Sequence, residues 1–176
     1  MLEPGGTMPF RYGSYVIVAM IGAAIVAFWP RYFSAITSAP WSGHFHGITA
    51  TLWMLFLALQ GWSIHSGRRA TRRTIGIGSL LLFPLFLAGN VAVVLNMAQT
   101  TPTDIFYKYQ LYGARLGIMD AASPFILGWL YYHALCERRN VQLHARYLMA
   151  MPLLLIMPIA SRLISDYVSR TADSWS

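Results

Sequence analysis

From Thr74 to Thr103 the chain carries no Asp, Glu, Lys or Arg, and the same holds from Tyr12 to Pro30 and from Trp41 to Gly67. Uncharged runs of this length have few stable homes. About 20 apolar residues in a helix cross the roughly 30 Å hydrocarbon core of a bilayer. Soluble domains carry roughly 25% charged residues, whereas here the fraction is 11%, with 56% hydrophobic. Five stretches meet the length requirement: about 13–33, 45–65, 75–98, 113–136 and 147–166. In lipid every backbone group has to be paired within its own segment or in a closed barrel. The expectation is therefore an all-α polytopic transmembrane bundle of five spans, forming one domain over 1–176. Pro84, Pro124, Pro152 and Pro158 predict kinks that neighbouring helices accommodate.

The net charge of +7 does not point to nucleic acid. The basic residues stand in short clusters between apolar runs, as they do in membrane proteins. Arg68, Arg69, Arg72 and Arg73 lie between spans two and three, and Arg138, Arg139 and Arg146 lie between spans four and five. The opposite side holds Arg31, Lys108 and Arg115. Lys and Arg concentrate on the cytoplasmic side, so the expected topology has the N-terminus in the cytoplasm and the C-terminus outside. The aromatic stretch "FWPRYF" after the first run reads as an interfacial anchor rather than a cleavage region. The longest expected non-membrane segment, "TTPTDIFYKYQLYG", lies between spans three and four and then faces outward. Partners implied are the bilayer itself and anionic headgroups beside the cytoplasmic Arg clusters, with a homo-oligomer or a membrane complex as a further association.

"HGITATLWMLFLALQGWSIHSGRRATRRTIG" and "ERRNVQLHARYLMAMPLLLIMPIASRL" carry a pattern of their own. The first has His-Gly, a Trp-centred apolar run, a Gln and a basic loop; the second has His-x-Arg, a Leu-Met pair and Pro-x-x-x-Arg. Together they resemble the second and last spans of a family of small bacterial five-span integral membrane proteins. The likeness extends over His46–Leu163 and implies a five-span bundle in the bacterial inner membrane, with no particular activity. In one respect the chain departs from the pattern: where the family's loop often has a His before its last basic residues, Arg72 stands here.

An ionisable residue within a span costs roughly 2.5–3.5 kcal/mol on insertion scales, so each calls for a reason. His46, Thr49, Trp53 and Gln60 fall at helical offsets that share one face, and this face is expected to meet the bundle rather than lipid. With alternating span directions, His46, Asn90, Asp120 and Arg162 all fall in the outer half of the membrane. These four form the candidate ligand-binding set. Arg162 would hold an anionic group, His46 would exchange a proton or ligate a metal, and Asp120 would orient one of them. The plainer alternatives are an Asp120–Arg162 ion pair, or a local Arg162–Asp166 pair one turn apart, with His46 as an interfacial cap. His44 is expected in the loop before the second span.

His65, His133 and His144 are expected at the cytoplasmic rim. His65 with His133 is the candidate pair for a haem b held between helices; snorkelling rim residues are the competing reading. The single Cys136 excludes an intrachain disulfide and a cysteine-rich metal site, and no metal site is expected. "GARLG", Gly113–Gly117, fits close helix packing, and Met149, Met151 and Met157 read as core filling. There is no phosphate loop, nucleophile elbow or zinc helix motif. Whether the chain is an enzyme is left open. The leading expectation is a membrane protein with an outward polar pocket for a small ligand, or an accessory subunit. A haem- or quinone-linked oxidoreductase subunit and a transporter or proton channel are the alternatives.

Overall fold

The computed structural model describes residues 12–30, 32–65, 69–100 and 106–173; for 64, 65, 69–73, 98, 100, 106–120 and 165–173 it describes the backbone alone. The described chain is all-α, with no strand among the described residues. The helices are α1 Gly13–Phe28, α2 Trp41–His65, α3 Arg69–Thr100, α4 Phe106–Cys136, α5 Val141–Ala150 and α6 Ile156–Asp173. Two 3₁₀ segments, Phe33–Ser38 and Met151–Leu155, join α1 to α2 and α5 to α6.

The helices run past the apolar stretches at several ends. α3 begins at Arg69, within the basic loop, and α4 begins at Phe106, so the expected outward connection is helical over its second half. A helix that satisfies its own backbone does not need to stop where lipid stops. α2 begins directly after Pro40 and includes His44, which corrects its expected place in a loop. A proline just before the first turn gives up no helical hydrogen bond, and the Pro40 carbonyl accepts from Gly43 and His44 N–H at 2.9 and 3.3 Å. α3 and α4 continue through Pro84 and Pro124 as single helices. Only around Pro152 does the ladder change to 3₁₀.

Chain neighbours pack as neighbours in space: α1 on α2, α2 on α3, α3 on α4 and α4 on α5. α6 returns to α1 and closes the ring. α2 supplies the largest share of the core through Thr49, Trp53, Met54, Phe56, Leu57, Gln60 and Ser63, met by Ile17, Phe83, Phe86, Leu127, Leu130, Tyr131, Leu148 and Met151. Met151 does fill the core, as expected from its position, whereas Met157 is exposed: it lies on the outward face of α6.

Large apolar side chains cover the exterior of every long helix. Phe125 is 80%, Leu81 73% and Ile164 64% exposed. Two helical stretches, Thr74–Met97 and Val141–Ile164, are long and apolar enough to cross a membrane, and Gly13–Phe28 is a shorter apolar helix. α2 has the length, with 25 residues, but its Thr49, Gln60 and Ser63 lower its apolarity and all three are buried.

Candidate functional site

The polar stripe of α2 faces the interior. Thr49, Trp53 and Gln60 are buried, and His46 at the top of the stripe is half-buried. The His46 ring lies near-parallel to Phe86, at 6.1 Å and 21°. Phe86 in turn stacks on Trp53 at 5.9 Å and 7°, and Trp53 on Phe56 at 5.1 Å and 14°. Offset stacking at such spacings is the favoured arrangement for aromatic pairs. The result is a column of four rings from α2 and α3 with His46 at its end. Its imidazole plane is therefore set by the core beneath it.

Gly89 makes this geometry attainable. A Cβ at that position would stand 2.8 Å from Thr49 Oγ1 and 3.0 Å from His46 Cα, so α3 touches the α2 backbone at the turn that carries His46. The Thr49 hydroxyl does not reach across. It donates to the carbonyl oxygens of Phe45 and His46 at 2.8 and 3.2 Å, and so stays within its own helix.

Arg162 approaches from α6. Its Cζ lies 4.2 Å from the centroid of the Phe28 ring on α1, and Nη1 donates to the Pro158 carbonyl at 3.0 Å. The guanidinium charge acts on His46, so these two candidates share one end of the bundle. His46 Nδ1 is buried and has no hydrogen-bond partner among the described residues.

Asn90 follows Gly89, at the same end. Its Oδ1 accepts from Ser123 Oγ at 3.1 Å, a bond between α3 and α4. Asn90 is thus engaged with α4. Hydrogen bonds between membrane helices average about 0.6 kcal/mol in double-mutant cycles. A cycle of Asn90→Ala and Ser123→Ala is expected to return a coupling of about 0.5–1 kcal/mol in an unfolding titration in mixed micelles; additive effects would remove the bond from the description. The Asp120 backbone lies one helical turn before Ser123 in α4, and its side chain, like that of Asp166, lies outside the described residues. Both expected ion pairs with Arg162 fall there too.

His44, His144 and His133 each make contacts within their own part of the bundle. His44 Nδ1 is 2.9 Å from Tyr32 Oη, and the Tyr32 ring covers Gly43 and Gly47, so the segment before α2 is pinned to its first turns. His144 Nδ1 is 2.6 Å from the Ala134 carbonyl, tying α5 to the last turn of α4. The His133 ring packs at 5.3 Å and 25° on Tyr147 and edge-on at 4.5 Å to Trp129. The His65 side chain lies outside the described residues, as do those of Gly113–Gly117. No cluster of metal-binding type is found among the described residues.

Sequence reasoning missed Gly89, Phe28 and Phe86. Gly89 had a readable signal: a glycine next to an Asn within an apolar run, in a position where small residues let membrane helices approach. Phe28 had none, because its partner Arg162 is far away along the chain. No protein-family model, curated protein or solved structure matches the chain, so its function rests on the geometry of this site.

Proposed function

We propose that the chain is a five-span protein of the bacterial inner membrane whose polar interior, at the outer end, binds a small anionic ligand through His46 and Arg162. It acts either by itself or as an accessory subunit that presents this site to a membrane partner. The membrane reading is supported by the combination of an apolar exterior with an inward polar stripe. Exposed apolar patches of this extent mark a surface meant for lipid or protein. Arg138, Arg139 and Arg146 are exposed near the α4–α5 turn, which suits a cytoplasmic face lined with anionic lipid headgroups.

The observation that carries the ligand reading is the buried, unpartnered Nδ1 of His46 in the field of Arg162. A buried polar atom without a partner costs about 1–3 kcal/mol. An anion seated between the two side chains would remove that cost. It would accept a hydrogen bond from His46 in its Nδ1–H form and gain the attraction of a guanidinium, whose planar fork suits carboxylate and phosphate oxygens. Phe86 holds the His46 imidazole and Phe28 the Arg162 guanidinium in place, so little side-chain entropy is lost on binding.

The test is thermal unfolding of the detergent-purified protein with acetate, succinate and inorganic phosphate as probes. A ligand at 100 times its Kd stabilises by about 2.7 kcal/mol. At least one probe is expected to raise the midpoint of the parent and to leave Arg162→Gln and His46→Phe unmoved. If no probe moves the parent, or the rise survives both substitutions, the site does not bind anions.

A further inference from the structure

The last apolar stretch is not one rod. It consists of α5, the 3₁₀ segment Met151–Leu155 and α6, and its two halves are fastened to different neighbours. α5 packs on α4, is tied to it by the His144–Ala134 bond, and sends Leu148 into the core. α6 packs on α1, with Ile159 buried and Arg162 laid over Phe28. Met151 and Pro152, at the start of the 3₁₀ segment, are buried, and Leu153 turns outward. Pro152 lies in the first turn of that segment and Pro158 in the first turn of α6, so two backbone donors are missing within two turns. A 3₁₀ stretch in the middle of a helical run marks a hinge or a strained sequence.

We propose that α6 is a hinged arm that pivots at Met151–Leu155 on the anchored α5 and is latched shut by the Arg162 guanidinium on the Phe28 ring of α1. When the arm is closed, the Arg162 charge acts on His46; when it swings away, that end of the bundle opens. The bond from Arg162 to the Pro158 carbonyl lies within α6 and travels with the arm. The cation–π contact to Phe28 joins two helices and has to break. The arm moves whether or not an anion binds between His46 and Arg162, so the hinge goes beyond the ligand reading and is tested without a ligand.

The experiment measures distances between nitroxide pairs by pulsed electron paramagnetic resonance on the full chain in nanodiscs, with Cys136→Ser as background. One pair, at Ile164 and Leu95, reports on the arm against α3; the other, at Val141 and Ile77, reports on the anchored half. All four positions are exposed. The arm pair is expected to show a closed and an open population. Phe28→Leu and Arg162→Met, which each remove one side of the latch, should raise the open-to-closed ratio about tenfold, equivalent to ~1.4 kcal/mol. Pro152→Ala, which restores a backbone donor, should collapse the distribution to one population. The Val141–Ile77 distance should stay constant in every variant, and this also reports that each has folded. A single narrow Ile164–Leu95 distance that neither latch variant nor Pro152→Ala changes would overturn the hinge, and so would broadening of both pairs together.

Discussion

Replacing Trp53 with alanine is expected to lower stability by about 3–5 kcal/mol, the range for emptying a large aromatic site in a core. Trp53 is 1% exposed and touches four rings from α2, α3 and α4: Phe56, Phe83, Phe86 and Tyr131. No other residue in the described core links three helices through so many rings. In lipid the unfolded reference is itself apolar, so the transfer part of the loss shrinks and the packing part remains. This places the expected cost near the lower end, about 3 kcal/mol. Because the column ends in His46, the loss should extend to the site, and any anion that stabilises the parent should stabilise Trp53→Ala less. Trp53→Phe keeps the stack and removes an indole N–H that has no hydrogen-bond partner among the described residues. It should cost less than half as much. Unfolding midpoints in mixed micelles measure both; a Trp53→Ala variant as stable as the parent would mean that the column is not the core.

The second large effect is at Gly89. Gly89→Ala places a methyl 2.8 Å from Thr49 Oγ1 and 3.0 Å from His46 Cα. The first contact is a side chain that can turn. The second is the backbone of α2, which cannot move without the helix. Overpacking of this kind costs about 1–3 kcal/mol, and relief of the hydroxyl contact by Thr49→Ala should recover only part of it. The comparison comes from Gly22, Gly76, Gly78 and Gly128, where an added Cβ meets nothing within 4 Å. There the same substitution should be neutral or mildly stabilising, because alanine is the better helix former. A uniform response across all five positions in the same micelle titration would contradict the close α2–α3 approach.

Much of the architecture is legible in the sequence because the rule that produces it is local. Apolar runs bounded by Arg clusters become helices, and the spacing of Thr49, Trp53 and Gln60 is enough to turn them inward. Helix ends are less legible. Both the first turn of α2, from Trp41, and the first turns of α4, from Phe106, lie outside the expected spans, where span length has nothing to say. The 3₁₀ segment was half legible: four prolines predict kinks equally, yet α3 and α4 absorb theirs and only the Pro152 region breaks. Proximity in space decides that, since the broken span is the one whose halves lean on different helices. Of the site, His46 and Arg162 were legible as costly polar residues, and the charge of the second acts on the first. Asn90 was legible as polar, but its engagement with Ser123 depends on how α4 docks, which no spacing within α3 encodes.

The proposed function rests on five spans with an outward-facing site, and side-specific thiol labelling tests that topology most directly. Single cysteines at Ser38, Ser66, Thr103 and Arg139, in a Cys136→Ser background, are exposed to a membrane-impermeant maleimide in intact cells and after permeabilisation. Five spans with a cytoplasmic N-terminus predict that Ser38→Cys and Thr103→Cys react in intact cells, whereas Ser66→Cys and Arg139→Cys react only once the membrane is opened. A bundle crossing only at Thr74–Met97 and Val141–Ile164 would place Ser38 and Ser66 on one side and Thr103 and Arg139 together on the other. That pattern would contradict the five-span bundle and remove the membrane environment from around His46.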